Sequence, residues 1–138
     1  MAEVSDPEAR TRAFARVIGP FVCVAAGILA IRAPQLHTFL PAFFGSPIWP
    51  VFLGALLLLG GISIIAFHRN WTGAAAIAIS LLGWFTALRG AILMALPEVM
   101  AEGADFSLQF TPVVQAGFAG VSLVGLALAW AGWRPVRS

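Results

Sequence analysis

The sequence predicts an all-α integral membrane protein, a bundle of four transmembrane helices that forms one domain over residues 1–138. The first observation is composition: 60% of the residues are hydrophobic and only 10% are charged. A soluble domain carries about 25% charged residues, so this chain has too little polar surface to face water. The second observation is four apolar segments, each close to the ~20 residues that cross a bilayer. Because lipid offers the backbone no hydrogen-bond partner, we expect these segments to be helical.

The first two spans are predicted at 13–31 and 48–67. The first follows a basic flank, which is also typical of a secretory signal peptide. The flank is long, however, and carries the acids Glu3, Asp6 and Glu8. We therefore expect a retained helix.

The last two spans are predicted at 72–96 and 113–133. The turn between the second and third spans is so short that these helices must be antiparallel neighbours. We expect Ser46, Asn70 and Thr111 to cap the second, third and fourth helices, because short polar side chains bind free backbone N–H groups at helix starts.

Two longer connections join the first span to the second and the third span to the fourth. The later one mixes the acids Glu98, Glu102 and Asp105 with apolar side chains, which is typical of a segment that lies along the membrane surface. The earlier one carries a similar apolar group: Phe39, Phe43 and Phe44. We expect these two connections to form the main docking surface.

The distribution of arginine predicts the orientation. Six arginines flank span ends that share one side of the predicted membrane: Arg10, Arg12, Arg16, Arg69, Arg134 and Arg137. The other side has only Arg32. Because cytoplasmic flanks are enriched in basic residues, both termini are predicted to be cytoplasmic. The arginines are scattered, so they form no dense basic patch of the kind that binds nucleic acid.

A weak internal repeat relates the two halves of the chain. The segment Gly27 to Pro34 resembles Gly90 to Pro97, since each has a glycine, a largely apolar run and a proline seven residues later. This pattern predicts two tandem helical hairpins of like orientation, related by an axis along the membrane normal. Chance similarity is the alternative, because glycine and proline are common in membrane helices.

Small residues recur every three or four positions along the third span. The seam consists of Gly73, Ala76, Ser80, Gly83, Ala87 and Gly90. A similar run in the first span consists of Gly19, Cys23, Ala26 and Ala30. Small side chains let membrane helices approach closely, so we predict that the seam packs against another helix. A channel lined by small residues is the alternative interpretation.

Arg89 is the one charged residue deep inside a predicted span, since Arg16 stands in the first turn of the span at 13–31. Arg89 lies roughly 10 Å below the end of the third helix. It is the candidate polar contact, either for an anion or lipid headgroup or for a partner subunit. Alternatively the side chain extends to the headgroups, paired with Glu98 or stacked on Phe85.

The sequence contains no recognisable catalytic motif. It has no glycine-rich phosphate loop, no nucleophile elbow and no His-Glu metal motif. The single cysteine, Cys23, is far along the chain from His37 and His68, so no metal cluster is predicted. We therefore expect no enzymatic activity and no cofactor, and we assign no catalytic residue or metal ligand.

Four short runs resemble those of small, uncharacterised four-helix membrane proteins of bacteria. They are His68-Arg69-Asn70-Trp71, Leu81-Leu82-Gly83-Trp84, Arg89-Gly90 and Leu96-Pro97-Glu98. The resemblance covers the middle part of the chain. It implies a bacterial inner (cytoplasmic) membrane and carries no activity with it.

Three function classes follow. The leading hypothesis is a non-catalytic accessory or scaffold subunit that packs in the bilayer against another membrane protein or against itself. The second is a small transporter or ion conduit, suggested by the repeat and by Arg89. The third is a membrane enzyme or a subunit that binds a pigment or quinone, suggested only by Trp84, His37 and His68.

Overall fold

The computed structural model describes residues 7–134, which contain helices and turns and no strand. Six α-helices follow one another: α1 (Pro7–Arg32), α2 (Leu36–Phe44), α3 (Ile48–Phe67), α4 (Ala74–Ala95), α5 (Pro97–Leu108) and α6 (Thr111–Trp133). Four helical stretches, which begin with α1, α3, α4 and α6, are long and apolar enough to cross a membrane. The predicted all-α class with four such helices is therefore confirmed. Glu3, Asp6 and Arg137 lie outside the described residues.

Helices α3, α4 and α6 start and end within two residues of the predicted positions, whereas α1 starts at Pro7, six residues before the predicted span. The two long connections are themselves largely helical. A 3-10 turn, Ala33–Gln35, leads from α1 into α2, and Pro97 occupies the first turn of α5. Proline is well suited to a helix start because it has no N–H to leave unbonded. What the sequence predicted as surface connections are thus two short helices, α2 and α5.

The long helices pack as two antiparallel pairs, α1 on α6 and α3 on α4. In addition α1 contacts α4, and α2 contacts α5. A twofold axis that exchanges the two halves of the chain moves α1 to the position of α4 and α6 to the position of α3. It therefore turns the α1·α6 contact into the α3·α4 contact, so the two main pairs follow the symmetry expected of two related halves. Each long helix packs mainly on a helix from the other half, so the predicted hairpins are not the packing units.

This topology gives the bundle two different ends. The start of α1, the turn between α3 and α4 and the end of α6 share one end, which we call the terminal end. The short helices α2 and α5 lie at the opposite end, which we call the lid end.

The α3·α4 contact is close enough to require glycine. A methyl group added at Gly61 would overlap the backbone nitrogen of Ala87, and one added at Gly90 would lie 2.7 Å from the carbonyl oxygen of Gly54. At Gly83 the added methyl would come within 2.7 Å of the Ile64 side chain. Close approach of this kind is how membrane helices gain packing contact without a hydrophobic driving force.

The α1·α6 contact uses the same device with different residues. Added methyl groups at Gly19 and Gly125 would overlap the backbones of Ala129 and Cys23 respectively. The Ser122 hydroxyl donates a hydrogen bond of 2.8 Å to the Cys23 carbonyl oxygen across this contact. The small run of the first span therefore faces α6.

Packing at the terminal end joins three of the long helices. Ala15 of α1, Ile79 of α4 and Leu128 of α6 are buried together. Arginine side chains close the same end, since Arg16 donates 2.7 Å to the Gly132 carbonyl oxygen and Arg12 donates 2.9 Å to that of Arg134. The start of α1 is thereby bonded to the end of α6.

The predicted caps were wrong in detail. The N-cap positions are Pro47, Gly73 and Phe110, none with a side-chain cap. Gly73 has φ of +92°, which a residue with a side chain rarely adopts, so the chain enters α4 at glycine. Asn70 instead accepts a hydrogen bond of 3.1 Å from the Thr72 N–H within the turn. The Thr111 hydroxyl donates 2.9 Å to the Leu108 carbonyl oxygen at the end of α5.

Candidate functional site

A cavity of about 630 Å³ lies beneath α2 and α5 at the lid end. All six helices contribute to its wall, with Leu29 from α1, Leu53 from α3 and Phe118 from α6 among the contributors. The helices that are packed closely along the bundle therefore leave a space at this end. We call this space the lid cavity.

One wall of the lid cavity is the apolar face of α5. Its lining residues are Val99, Met100, Gly103, Ala104, Ser107 and Leu108, which recur at the three- and four-residue spacing of one helix face. The acids Glu98, Glu102 and Asp105 are exposed outside that face. Helix α5 is thus amphipathic, with its apolar face along the cavity, although none of its residues is buried.

Helix α2 presents a matching apolar face. Its lining residues are Leu36, Phe39, Leu40, Phe43 and Phe44. The rings of Phe43 and Phe44 meet edge to face at 5.0 Å. Arg32, at the end of α1, lies 5.9 Å from the Phe39 ring and so stacks on the outer part of this wall. The two lid helices therefore close the cavity with aromatic and aliphatic side chains.

Arg89, an exposed residue of α4, brings the only charge to the part of this lining that residues 7–134 form. It makes no hydrogen bond, ion pair or ring contact with any residue from 7 to 134, so it is neither paired with Glu98 nor stacked on Phe85. Six residues separate it from Ala95 at the end of α4, a rise of about 9 Å. An arginine at the centre of a membrane helix costs roughly 2.5–3.5 kcal/mol on insertion scales, and less near the interface.

The other polar side chain in the lining is already bonded. The Ser107 hydroxyl donates 2.7 Å to the carbonyl oxygen of Gly103 within α5. Among the described side chains of this cavity, Arg89 alone has hydrogen-bonding groups without a protein partner. A planar guanidinium of this kind binds a carboxylate or phosphate through two parallel hydrogen bonds.

The terminal end contains the contrasting polar site, a buried network around His68. Its ring nitrogens Nε2 and Nδ1 lie 3.1 Å from the hydroxyls of Thr11 and Ser80 respectively. Asn70 donates 3.2 Å to the Thr11 hydroxyl, and the Ser80 hydroxyl donates 3.0 Å to the Asn70 carbonyl oxygen. His68 is only 3% exposed, and its ring meets that of Phe14 edge to face at 5.5 Å.

A neutral imidazole fits this network. With the proton on Nδ1, the ring of His68 donates to Ser80, whose hydroxyl donates to the Asn70 carbonyl oxygen. The Thr11 hydroxyl accepts from Asn70, and its one proton has two acceptors within reach: Nε2 of His68 at 3.1 Å and the Pro7 carbonyl oxygen at 3.0 Å. Burial lowers the pKa of His68 below its usual value of 6.5, and a backbone hydrogen bond opposes part of that effect. The network fastens α1, the α3–α4 turn and α4 to one another, which is a structural role.

The remaining candidates from the sequence lie apart from both sites. Trp84 is 57% exposed on α4, and His37 is exposed on α2. In the seam, the five residues from Ala76 to Gly90 are buried, whereas Gly73 is exposed in the turn. Within residues 7–134 no three His, Cys, Asp or Glu side chains are placed to hold a metal ion.

Sequence reasoning missed two features of these sites. The facing apolar stripes of α2 and α5 were visible as helical spacing, but each was interpreted as a segment lying on the membrane. The network around His68 joins residues 11, 68, 70 and 80, and no local pattern marks such a distant pairing. Thr11 carried no signal of its own.

Comparison of the chain with protein-family models, with curated proteins and with solved structures found no match. The resemblance to small bacterial four-helix membrane proteins therefore stays a prediction.

Proposed function

We propose that this chain is a non-catalytic membrane protein that holds a lipid-like molecule in the lid cavity and serves as an accessory or scaffold subunit in the bilayer. The observation that carries the proposal is the lid cavity itself, about 630 Å³ with a lining that is apolar except for Arg89 and Ser107. Small-molecule sites are typically ~300–1,000 Å³, mostly apolar, with a few polar groups that fix orientation.

The same lining supports a binding role over a catalytic one. General acid–base or nucleophilic chemistry needs a titratable base next to the reacting group. The described side chains of this lining offer one guanidinium, which stays protonated, and one hydroxyl already bonded within its own helix. This set can hold and orient a ligand, but it cannot exchange a proton with it.

A membrane-protein partner or a second copy of this chain is part of the proposal. The long helices expose large apolar side chains such as Phe52 and Leu59 on α3 and Leu123 on α6, which suit either lipid or another membrane helix. Cross-linking in native membranes followed by mass spectrometry would test this. Recovery of the chain only as an uncross-linked monomer would contradict the accessory role.

We further propose a bacterial inner membrane with both termini in the cytoplasm. Five of the seven arginines between residues 7 and 134 lie at the terminal end: Arg10, Arg12, Arg16, Arg69 and Arg134. Single cysteines at Thr72 and Thr38, in a Cys23→Ala background, provide the test. An impermeant thiol reagent added outside should label the Thr38 position alone, and labelling at Thr72 instead would reverse the orientation.

A small transporter is the second candidate, and the placement of the cavity favours it. Both halves of the chain contribute to the lid cavity, each with one short helix and two long ones. Transporters often bind substrate between repeated halves. Flux of a bound lipid-like molecule across proteoliposomes would support this candidate, and binding without flux would support the accessory role.

The central experiment fills the cavity. Gly103 lines the lid cavity, and a side chain added there meets nothing within 4 Å, so Gly103→Phe should occupy the space without distorting α5. Gly120→Phe is the matched control, because Gly120 is also open but lies outside the cavity. Native mass spectrometry should find co-purified lipid-like molecules on the parent protein and on Gly120→Phe. Equal retention by Gly103→Phe would overturn the proposal.

A further inference from the structure

We propose that the occupant of the lid cavity is an anionic single-chain amphiphile, one hydrocarbon chain that ends in a carboxylate or phosphate bound by Arg89. This inference rests on the proposed function, since it names the chemistry of the molecule that the cavity holds. Three features of the structure support it: the unpaired guanidinium of Arg89, the acidic residues outside the lid and the different charges of the two halves.

The first feature is the Arg89 guanidinium. The Arg89 guanidinium has no protein partner among residues 7–134, although it lies in a cavity whose other lining is hydrocarbon and one bonded hydroxyl. Arg89 is exposed to the surroundings of the bundle rather than buried within it. A charge on a membrane-spanning helix, beside apolar side chains and away from water, still calls for an opposite charge. A carboxylate or phosphate meets that need and matches the fork of the guanidinium. A neutral hydrocarbon would leave it unmet.

The acidic residues on the outer face of α5 favour a ligand anion inside the lid cavity over one on top of that helix. Glu98, Glu102 and Asp105 are exposed on the outward face of α5, so an anionic group resting on top of that lid helix would meet like charges. Beneath the lid the lining contains no carboxylate, and Arg89 is its one charge. The anionic end is therefore expected at Arg89, with the chain between the apolar faces of α2 and α5.

The asymmetry of the halves sets the number of anions. In the repeat that aligns Gly27 with Gly90, the position matching Arg89 is Ala26, which is 5% exposed and uncharged. The two halves thus supply two similar apolar lid helices but one cation in the described lining, because Arg32 stacks on Phe39 without lining the cavity. A volume of about 630 Å³ lies within the range that encloses one drug-sized ligand. One anionic group on one chain fits this arrangement better than a phospholipid with two chains.

The test measures binding of tritiated palmitate to the full chain, delipidated in a neutral detergent. Hexadecyl phosphate, hexadecanol and dioleoylphosphatidylglycerol serve as competitors. We expect the phosphate to compete at a concentration similar to that of unlabelled palmitate, whereas hexadecanol should need about tenfold more or higher because it has no charge for Arg89. If dioleoylphosphatidylglycerol competes better than both single-chain anions, the single-chain assignment is overturned.

Variants separate the roles of charge and space. Arg89→Gln should weaken palmitate binding about tenfold or more and leave hexadecanol binding unchanged, whereas Arg89→Lys should restore part of the loss. Arg69→Gln, an exposed arginine at the terminal end, is the matched control and should bind as the parent does. Gly103→Phe should lose both palmitate and hexadecanol. Circular dichroism checks that each variant is folded.

The outcomes distinguish the two proposals. If palmitate and hexadecanol bind equally, and Arg89→Gln changes neither, the anionic assignment is wrong while the cavity still binds a lipid-like molecule. If no single-chain or two-chain probe binds the delipidated parent protein, and Gly103→Phe alters nothing, the proposed function fails together with the inference.

Discussion

The two ends of the bundle solve the same problem in opposite ways. At the terminal end the buried polar groups of Thr11, His68 and Ser80 are bonded to one another or to the backbone, and a buried apolar cluster joins three long helices. At the lid end the helices leave a cavity, and a charged side chain lies in it without a protein partner. Stability favours the first arrangement, because an unmatched polar group away from water is costly. We attribute the second arrangement to the ligand site proposed above.

The two ends also differ in which substitutions should disturb them. Both ends depend on the close α3·α4 and α1·α6 contacts, which run along the long helices and are set by glycine. A change in those contacts should disturb both ends, a change in the polar network only the terminal end, and a change at Arg89 neither fold nor packing. We therefore expect the largest loss of stability from the helix contacts, a smaller one from the polar network and the smallest from Arg89.

The largest effect is expected from Gly61→Leu, where a side chain would meet the backbone of Ala87. Overpacking typically costs about 1–3 kcal/mol, and we expect at least the upper value because the backbone cannot swing aside as a side chain can. Gly60→Leu is the control, because nothing lies within 4 Å of an added methyl there. Gly83→Leu should be intermediate, since it meets the Ile64 side chain.

The measurement is unfolding in mixed micelles of increasing sodium dodecyl sulfate content, with the oligomer profile followed in parallel. Identical unfolding of Gly61→Leu and Gly60→Leu would mean that α3 and α4 do not approach closely, and both ends would then need a different explanation.

The next effect is expected from Ser80→Ala, which removes the hydroxyl that His68 and the Asn70 carbonyl oxygen share. A buried group left without its partner costs about 1–3 kcal/mol. Ser63→Ala should stay within about 0.5 kcal/mol, because the Ser63 hydroxyl only donates to Leu59 in its own helix. Equal free energies of unfolding for the two variants would remove the network from the account of stability.

A smaller effect is expected from pH. The pKa of His68 is lowered by burial, so the unfolded chain gains a proton near pH 6.5 while the folded chain stays neutral. The contribution of His68 to stability is therefore complete above about pH 6.5 and declines as the pH falls through the lowered pKa of the folded state. Arg10, Arg69 and Asn70 line the hollow of about 170 Å³ beside the ring.

Thermal unfolding between pH 7.5 and 5 tests this. His68→Gln should reduce the loss of stability on acidification, while His37→Gln, at an exposed site on α2, should retain it. A decline that is the same in both variants would assign the pH dependence to other groups.

The smallest effect on the fold is expected from Arg89→Gln in delipidated protein. The side chain makes no contact that the fold depends on among residues 7–134, so insertion and unfolding free energy should match those of the parent within about 0.5 kcal/mol. Membrane fractionation and the same micelle titration provide the measurement. A loss as large as that of Ser80→Ala would make Arg89 a structural residue and would erase the contrast between the ends.

Sequence alone predicted that the long helices suit a bilayer rather than water, and it predicted where those helices lie. The four apolar stretches located α1, α3, α4 and α6, because the thickness of a bilayer fixes the length of a helix that crosses it. The short turn after Phe67 required α3 and α4 to be antiparallel. Five of the six seam residues in the third span are buried, and Gly73 is exposed in the turn. These properties depend on neighbouring residues in the chain, so periodicity and length reveal them.

Tertiary structure decided which helices meet and where space remains. That α1 packs on α6 depends on Gly19 and Gly125, which are about a hundred residues apart and fit only when the two backbones are brought together. The network of Thr11, His68 and Ser80 likewise exists only where three elements converge. The apolar faces of α2 and α5 were equally suited to lipid or to each other, and only the folded chain brought them to the cavity that Arg89 lines. Such contacts are set by the shapes of distant surfaces, which no local pattern in the chain encodes.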